Sequence, residues 1–255
     1  MKNFYTFQNL SKERECLHFV TQKDKAEPFS FSLALHTQEN PIDIISNREY
    51  FSKKFPNMHF IVANQTHSDN IHIVKEAKTE GWKSLDTAIE NCDALITNQK
   101  NIMLTILTAD CVPILLFDKK EHVIACVHAG WRGTEQEIVS KTVQKMQEVF
   151  NSNPKNIIAG IAPSIGKCCY EVDWSVTKHF KDIQGAYEDR GEKQMLDLPH
   201  INRVQLLNSG LEKENIASSN ICTACEVKNY FSYREEKGCS GRFMSMIALR
   251  TTVAQ

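Results

Sequence analysis

Apolar and polar positions separate most sharply between Leu104 and Thr134. An apolar run, Ile102–Thr108, meets the short polar break Ala109-Asp110-Cys111 and resumes at Val112–Phe117. The charged quartet Asp118-Lys119-Lys120-Glu121 divides that run from a third, His122–Val127, which leads into His128-Ala129-Gly130-Trp131-Arg132-Gly133. Two short apolar runs joined by a four-residue polar turn predict a β-hairpin. Pairing Phe117 with His122 sets Val112 opposite Val127 and Cys111 opposite His128, with Cβ atoms roughly 4.5–5.5 Å apart on one face. A thiol then stands beside an imidazole at the open end of the hairpin. That arrangement suits a metal or a Cys–His nucleophile pair.

The flanking pattern is weaker. Strands are predicted at Cys16–Thr21, Phe29–His36, His59–Ala63, Ile71–Val74 and Cys92–Thr97, with a ragged helix over Pro41–Phe55 that carries Asn47 and Arg48. Thr79–Asn91 lacks periodicity and reads as a loop. The clearest helix is Thr134–Phe150, whose Ile138, Val139, Val143, Met146, Val149 and Phe150 share one face before Asn153-Pro154 stops it. A short strand at Ile157–Ile161 runs into the turn-rich Ala162–Gly166. Helices follow at Asp173–Phe180 and Pro199–Leu211, with residues 181–196 between them as a polar, mobile insertion. Strands at Ser218–Cys222 and Phe243–Leu249 flank the loop Asn229–Arg242. Strands and helices interleave with no repeat or linker, which predicts one α+β domain over residues 1–255, with mixed β-sheets and outer helices.

Composition narrows the classes of function. The 255 residues are 42% apolar, enough for a sizeable core, and the net charge of −1 comes from basic and acidic residues spread along the chain. No basic block points to nucleic acid. No apolar run approaches the roughly 18–20 residues that cross a membrane, and the N-terminus lacks the apolar core of a signal peptide. Nine scattered cysteines without an export signal predict reduced thiols and a cytoplasmic protein.

Three predicted strands end on a ligand-type residue: His67, Cys111 and His128. Two imidazoles and a thiolate suit Zn²⁺ with one open position, although each residue also has an ordinary reading as a turn cap, a buried thiol or a core histidine. The hairpin links Cys111 to His128; nothing in the pattern brings in His67. The His128–Gly133 turn, placed before the best helix, suggests an anion subsite assisted by Arg132, or simply a tight turn with a solvated arginine. Cys222 and Cys225 form a CxxC whose only later cysteine is Cys239, so a structural zinc site lacks its second pair. The adjacent Cys168-Cys169 reads as inert. Asp93 and Asp110 are buried carboxylates with a role, or caps.

Several motifs together resemble the family long labelled multicopper polyphenol oxidoreductases, or laccase-domain proteins, whose members are now regarded as purine nucleoside phosphorylases. They are Gln65-Thr66-His67-Ser68, Cys92-Asp93-Ala94, Leu107-Thr108-Ala109-Asp110-Cys111-Val112-Pro113, His128-Ala129-Gly130-Trp131-Arg132-Gly133 and Gly160-Ile161-Ala162-Pro163-Ser164-Ile165-Gly166. Phe231-Ser232-Tyr233-Arg234 and Gly241-Arg242 complete the order, and Asn47-Arg48 matches a further pair. The resemblance implies Zn²⁺ held by His67, Cys111 and His128. It also implies cleavage of adenosine, inosine or methylthioadenosine by phosphate to a base and a sugar 1-phosphate, deamination of adenosine as a second activity, and a homodimer.

On this reading Asp110, beside Cys111, is the proton carrier for deamination. Arg48 and Arg132 would meet phosphate, Asn47 would join the substrate site, and a purine would lie on Trp131 or Tyr233. Two rival readings remain. One is a hydrolase or amidase of cell-wall metabolism using Cys111 and His128 without metal. The other is copper-dependent phenol oxidation, which fits poorly because none of the nine histidines forms a His-x-His pair. A catalytically idle binding subunit is a further alternative.

Overall fold

The structure, a computed structural model, describes residues 2–238 and 240–250. Its strands are β1 (Phe4–Tyr5), β2 (Cys16–Thr21), β3 (His59–Val62), β4 (Ile71–Ile73), β5 (Ala94–Thr97), β6 (Ile102–Thr108) and β7 (Val112–Asp118). There follow β8 (Val123–Ala129), β9 (Ile157–Ile161), β10 (Glu171–Val172), β11 (Tyr187–Asp189), β12 (Gln194–Leu196), β13 (Ile216–Ser218) and β14 (Phe243–Leu249). The α-helices are α1 (Gln8–Ser11), α2 (Pro41–Lys54), α3 (Trp131–Glu135), α4 (Ile138–Phe150), α5 (Trp174–Thr177) and α6 (Leu198–Asn208). One sheet has the order β1-β2-β14-β6-β3, a second β13-β9-β7-β8-β5-β4, and a small third β10-β12-β11. Both large sheets mix parallel and antiparallel pairs, so the expected α+β class with mixed sheets and outer helices is what forms.

Strand alternation sorts the side chains into layers. In β7, Leu115 and Phe117 join Ile124 and Cys126 of β8, Ile106 of β6 and Ile247 of β14 in one apolar cluster between the two large sheets. The alternate residues Ile114, Leu116, Ala125 and Val127 face outward onto Ile138, Val139, Val143 and Met146 of α4 and Ile201 of α6. On the far side, Met103, Met244 and Met246 meet Phe51 of α2, with Phe19, Phe31 and Phe60. Helix, sheet, sheet and helices therefore stack in order. The central strands are covered on both faces, which explains why Ile102–Phe117 reads as continuous apolar runs and not as alternation. Each large aliphatic side chain so buried contributes about 1.5–3 kcal/mol.

Four sequence expectations are corrected. Phe29–His36 is not a strand: Pro28 opens a 3₁₀ turn, and Phe29, Ser30 and Phe31 take φ of 48°, 52° and 68°. Proline lacks the ladder N–H, and the turn drives Phe31 and Leu33 into the aromatic layer under α2. The predicted helix Thr134–Phe150 is two helices, α3 and α4, divided where Glu137 adopts φ 58°. Residues 181–196 hold β11 and β12, and this segment buries Ala186, Gln194, Met195 and Leu196 while Glu188 and Asp189 stay outside. The strand expected at Ser218–Cys222 is instead Ile216–Ser218, with Asn220 at φ 54° beyond it. Cys239 lies outside the described residues.

Candidate metal centre and active site

The hairpin forms, but two residues out of the expected register: Val112 pairs with Ala129 and Pro113 with His128. A shift of two preserves alternation, so Cys111 and His128 stay on one face as diagonal neighbours. That face is the one turned toward the other large sheet, as Cys126 of β8 and Leu115 of β7 demonstrate. His67 arrives from the loop between β3 and β4. Its Nε2 lies 3.8 Å from Cys111 Sγ, its ring is edge-on to His128 with centroids 4.8 Å apart, and the three ligand atoms lie within 4.8 Å of one another.

Asp93 builds this arrangement. Its carboxylate lies 2.7 Å from His128 Nδ1 and accepts the backbone N–H groups of Thr66, His67 and Ser68 at 3.2, 3.1 and 2.8 Å. The Ser68 hydroxyl adds a bond of 2.7 Å. The one side chain thus holds His67 at φ 61°, a left-handed conformation, and leaves Nε2 of His128 free for the site. Burial works to raise the Asp93 pKa, but the His128 bond and charge and the Ser68 bonds outweigh it, holding the carboxyl well below its usual range. Burial likewise opposes ionisation of Cys111, yet His128 and His67 bring the thiol down to about 6. Burial lowers His128, and the Cys111 and Asp93 charges reverse this and lift it to about 9. Without a metal the centre favours a thiolate beside an imidazolium; the thiolate can bind a metal or attack, and His128 would give up its Nε2 proton on binding one.

Gly130 makes the close approach feasible. A Cβ there would stand 2.8 Å from His67 Cδ2 and 3.1 Å from Cys111 Sγ. Asp110, at φ 89°, has both carboxylate oxygens occupied: Oδ1 accepts from the Thr223 hydroxyl at 2.6 Å and Oδ2 from the Arg234 N–H at 2.7 Å. It therefore ties the loop after β13 to the strand end that carries Cys111.

The expected substrate residues separate into two groups. Arg48 is buried, and its donors go to the carbonyls of Leu33, Gly81 and Trp82 at 2.6–2.8 Å. Asn47 donates to Pro28 and Ser32 carbonyls. The expectation of phosphate contact from Arg48 and of substrate contact from Asn47 is corrected: Asn47 braces the 3₁₀ segment and Arg48 ties Leu33 to Gly81 and Trp82, because a buried guanidinium must spend its donors on whatever acceptors surround it. Trp131 packs toward His179, with ring centroids 6.2 Å apart, and Arg132 lies over the Trp131 ring. The His128–Gly133 turn leads into the five-residue α3, Trp131–Glu135, and not directly into the longer α4. Tyr233 is 55% exposed and carries the Arg242 guanidinium 5.8 Å from its ring centre.

Sequence reasoning gave no site role to His36, Tyr170 or Arg242. Arg242 is near enough to feel the charges of Cys111 and Asp110, and His36 those of Arg242, Arg48 and His128. Phe29, His36, Glu39, Gly238, Ser240 and Arg242 are among the residues lining a cavity of about 460 Å³ there. A larger cavity of about 670 Å³, among Phe4, Cys16, Phe55 and Arg250, is lined by none of His67, Cys111 and His128. Tyr170 senses Cys111, Asp110 and Arg132, and Arg234 lies 5.4 Å over its ring. Only the Gly241-Arg242 pair had left a trace in the motif pattern.

A layered α+β fold with a His–Cys–His group at the rim of its sheets, backed by a buried carboxylate, defines a protein equipped to hold a metal ion. The chain belongs to the family described as multi-copper polyphenol oxidoreductase laccase, whose model matches residues 18–250. It is 33% identical over 240 residues to a purine nucleoside phosphorylase, YlmD, of Bacillus subtilis (strain 168), covering 91% of this chain and 85% of that one. A purine nucleoside phosphorylase of Clostridium acetobutylicum is 33% identical over 250 residues, covering 95% of each chain. Among solved structures, the Bacillus licheniformis hypothetical protein YfiH superposes with a TM-score of 0.91 at 30% identity, covering 98% of this chain and 97% of that one. YlmD from Geobacillus stearothermophilus does so with a TM-score of 0.90 at 27% identity, covering 98% and 100%. Among the described residues, no helix is long and apolar enough to cross a membrane.

Proposed function

We propose that this protein is a zinc-dependent purine nucleoside phosphorylase, acting on adenosine, inosine or methylthioadenosine with phosphate, in the cytoplasm and as a homodimer. The observation that carries the reading is the His67–Cys111–His128 group fixed by Asp93, in a chain whose relatives bear that name. The donors fit zinc: two imidazole nitrogens and a thiol already drawn toward thiolate, with room for a fourth ligand. Bound there, zinc supplies Lewis acidity to an oxygen-bearing reactant.

The chain's own residues account for the rest. Arg242, and Arg132 near Tyr170, bring positive charge to the side where a phosphate would sit. Tyr233 and Phe29 offer exposed rings to a purine. In phosphorolysis the glycosidic C1′–N9 bond breaks, a C1′–O bond to phosphate forms, and the departing base takes a proton. Asp110 is held as an acceptor by Thr223 and Arg234, so it shapes the wall beside Cys111. Any deamination at the same site would draw on it for proton transfer only after those bonds loosen.

A second reading has its own observation. Cys111, His128 and Asp93 stand in the order thiol, imidazole, carboxylate, with the thiol lowered to about 6. A metal-free hydrolase or amidase would use that order directly.

The deciding experiment incubates adenosine with and without phosphate on metal-analysed protein, beside Cys111→Ala. Phosphate-dependent adenine lost in the variant is the expected result, and inosine formed without phosphate would add deamination. No nucleoside product from zinc-loaded protein overturns the phosphorylase reading. Metal-free protein whose Cys111 is rapidly alkylated by iodoacetamide favours the hydrolase. Oxidation of a phenol by copper-loaded protein would restore the older family label.

A further inference from the structure

The Cys222/Cys225 pair does have partners, and they precede it in the chain. Cys168, Cys169, Cys222 and Cys225 place their four sulfurs within 4.8 Å of one another. Cys169 Sγ and Cys168 Sγ lie 3.4 and 3.6 Å from Cys225 Sγ. Sulfurs of a tetrahedral zinc–thiolate site, with Zn–S near 2.3 Å, stand about 3.8 Å apart, whereas a disulfide requires about 2.0 Å. The spacing matches the first and excludes the second as the state described.

Backbone pairing assembles the group. Ser164 forms a parallel bridge with Cys222, its N–H donates to the Ile221 carbonyl, and the Thr223 N–H donates to the Ser164 carbonyl. The chain then turns at Gly166, whose carbonyl accepts from both Cys169 and Tyr170. The Gly166 N–H points at Cys222 Sγ from 3.2 Å, the kind of outer hydrogen bond that supports a metal-bound thiolate. A Cβ on Gly166 would meet Cys222 Cβ at 3.2 Å and Cys168 Sγ at 3.3 Å, so glycine permits the approach. Cys168 and Cys225 are exposed, which gives an ion a way in.

We propose that Cys168, Cys169, Cys222 and Cys225 form a second metal site, a four-thiolate site for zinc, separate from the His67–Cys111–His128 centre. Its role is structural, because four protein sulfurs leave no open position. It clamps the turn after β9 to the segment after β13. Thr223, inside the CxxC, donates to Asp110, and the Ile165 N–H donates to the Asp110 carbonyl at 2.8 Å. The clamp therefore braces the wall next to Cys111 without touching a reacting atom.

The test measures metal content and spectra. Protein purified without chelator should carry two equivalents of zinc, Cys111→Ala one, and Cys225→Ser one. Cobalt loaded into Cys111→Ala should give intense thiolate-to-metal charge transfer and tetrahedral d–d bands, absent from Cys111→Ala/Cys225→Ser. Cys168→Ser, at an exposed position, repeats the measurement should Cys225→Ser fail to fold. The proposal is overturned by Cys111→Ala protein that holds no zinc after loading, by a disulfide among these four residues under reducing purification, or by an iron–sulfur chromophore in their place. Because the Cys111→Ala background lacks the first centre, loss of that reading and loss of this one are told apart.

Discussion

Asp93 Oδ1 lies 2.7 Å from His128 Nδ1 and accepts the His67 backbone N–H at 3.1 Å, so one buried carboxylate sets the position of two candidate ligands. Asp93→Asn keeps the shape but replaces an acceptor by an amide that must donate to some neighbours while the three N–H groups of Thr66–Ser68 lose a negative partner. Zinc affinity at the first centre should fall roughly 10–100-fold, read by competition with a chromophoric chelator. Unchanged affinity would remove Asp93 from the site.

Gly130→Ala separates crowding from folding. The backbone there, at φ −71°, suits alanine, but the added Cβ collides with His67 Cδ2 and crowds Cys111 Sγ. The variant should keep a native circular dichroism spectrum and lose first-site metal and activity together. A fully active variant would mean that His67 can swing aside without consequence.

Arg48 supplies the opposite case. Its removal strands the carbonyls of Leu33, Gly81 and Trp82 in the interior, at about 1–3 kcal/mol for each group left unsatisfied. Arg48→Met should lower the midpoint of thermal or urea unfolding while leaving the phosphate KM of the folded fraction unchanged. A raised phosphate KM with intact stability would return Arg48 to the substrate.

His18 gives the fold an acid-sensitive point. Burial, aided by repulsion from Arg250 and only partly offset by the bond with the Phe7 backbone, pushes its imidazole down to about 4, and in the neutral form its Nε2 accepts the Phe7 N–H at 2.8 Å. The folded pKa lies below the ordinary 6.5, so the unfolded chain binds more protons between those values. Stability contributed by neutral His18 is complete above pH 6.5 and falls as pH drops toward 4, by about 3 kcal/mol in all. His18→Gln, which keeps an acceptor, should flatten that part of the urea stability profile; an unaltered profile would place the acid sensitivity elsewhere.

Chelation should abolish nucleoside cleavage, with zinc restoring it, while the far-ultraviolet circular dichroism persists. The three apolar clusters are closed by side chains alone, so removal of metal from the rim leaves the layers intact. Collapse of the fold on chelation would assign the ion at the four-cysteine group a larger share of stability.

The sequence by itself determined the central hairpin, the α+β class and the common face of Cys111 and His128, because alternation and local turn chemistry act over a few residues. A register error of two moved His128 opposite Pro113 but kept it on the face of Cys111, since the pleat repeats every two residues. The motif resemblance alone supplied His67. Tertiary structure decided what depends on contacts between distant segments: Asp93 reaching both histidines, Arg48 turning inward, and Arg242 coming within range of the Cys111 charge. It also joined Cys168-Cys169 to Cys222 and Cys225, more than fifty residues apart in the chain. No local spacing encodes such a meeting; the bridge between Ser164 and Cys222 creates it when the strands pair.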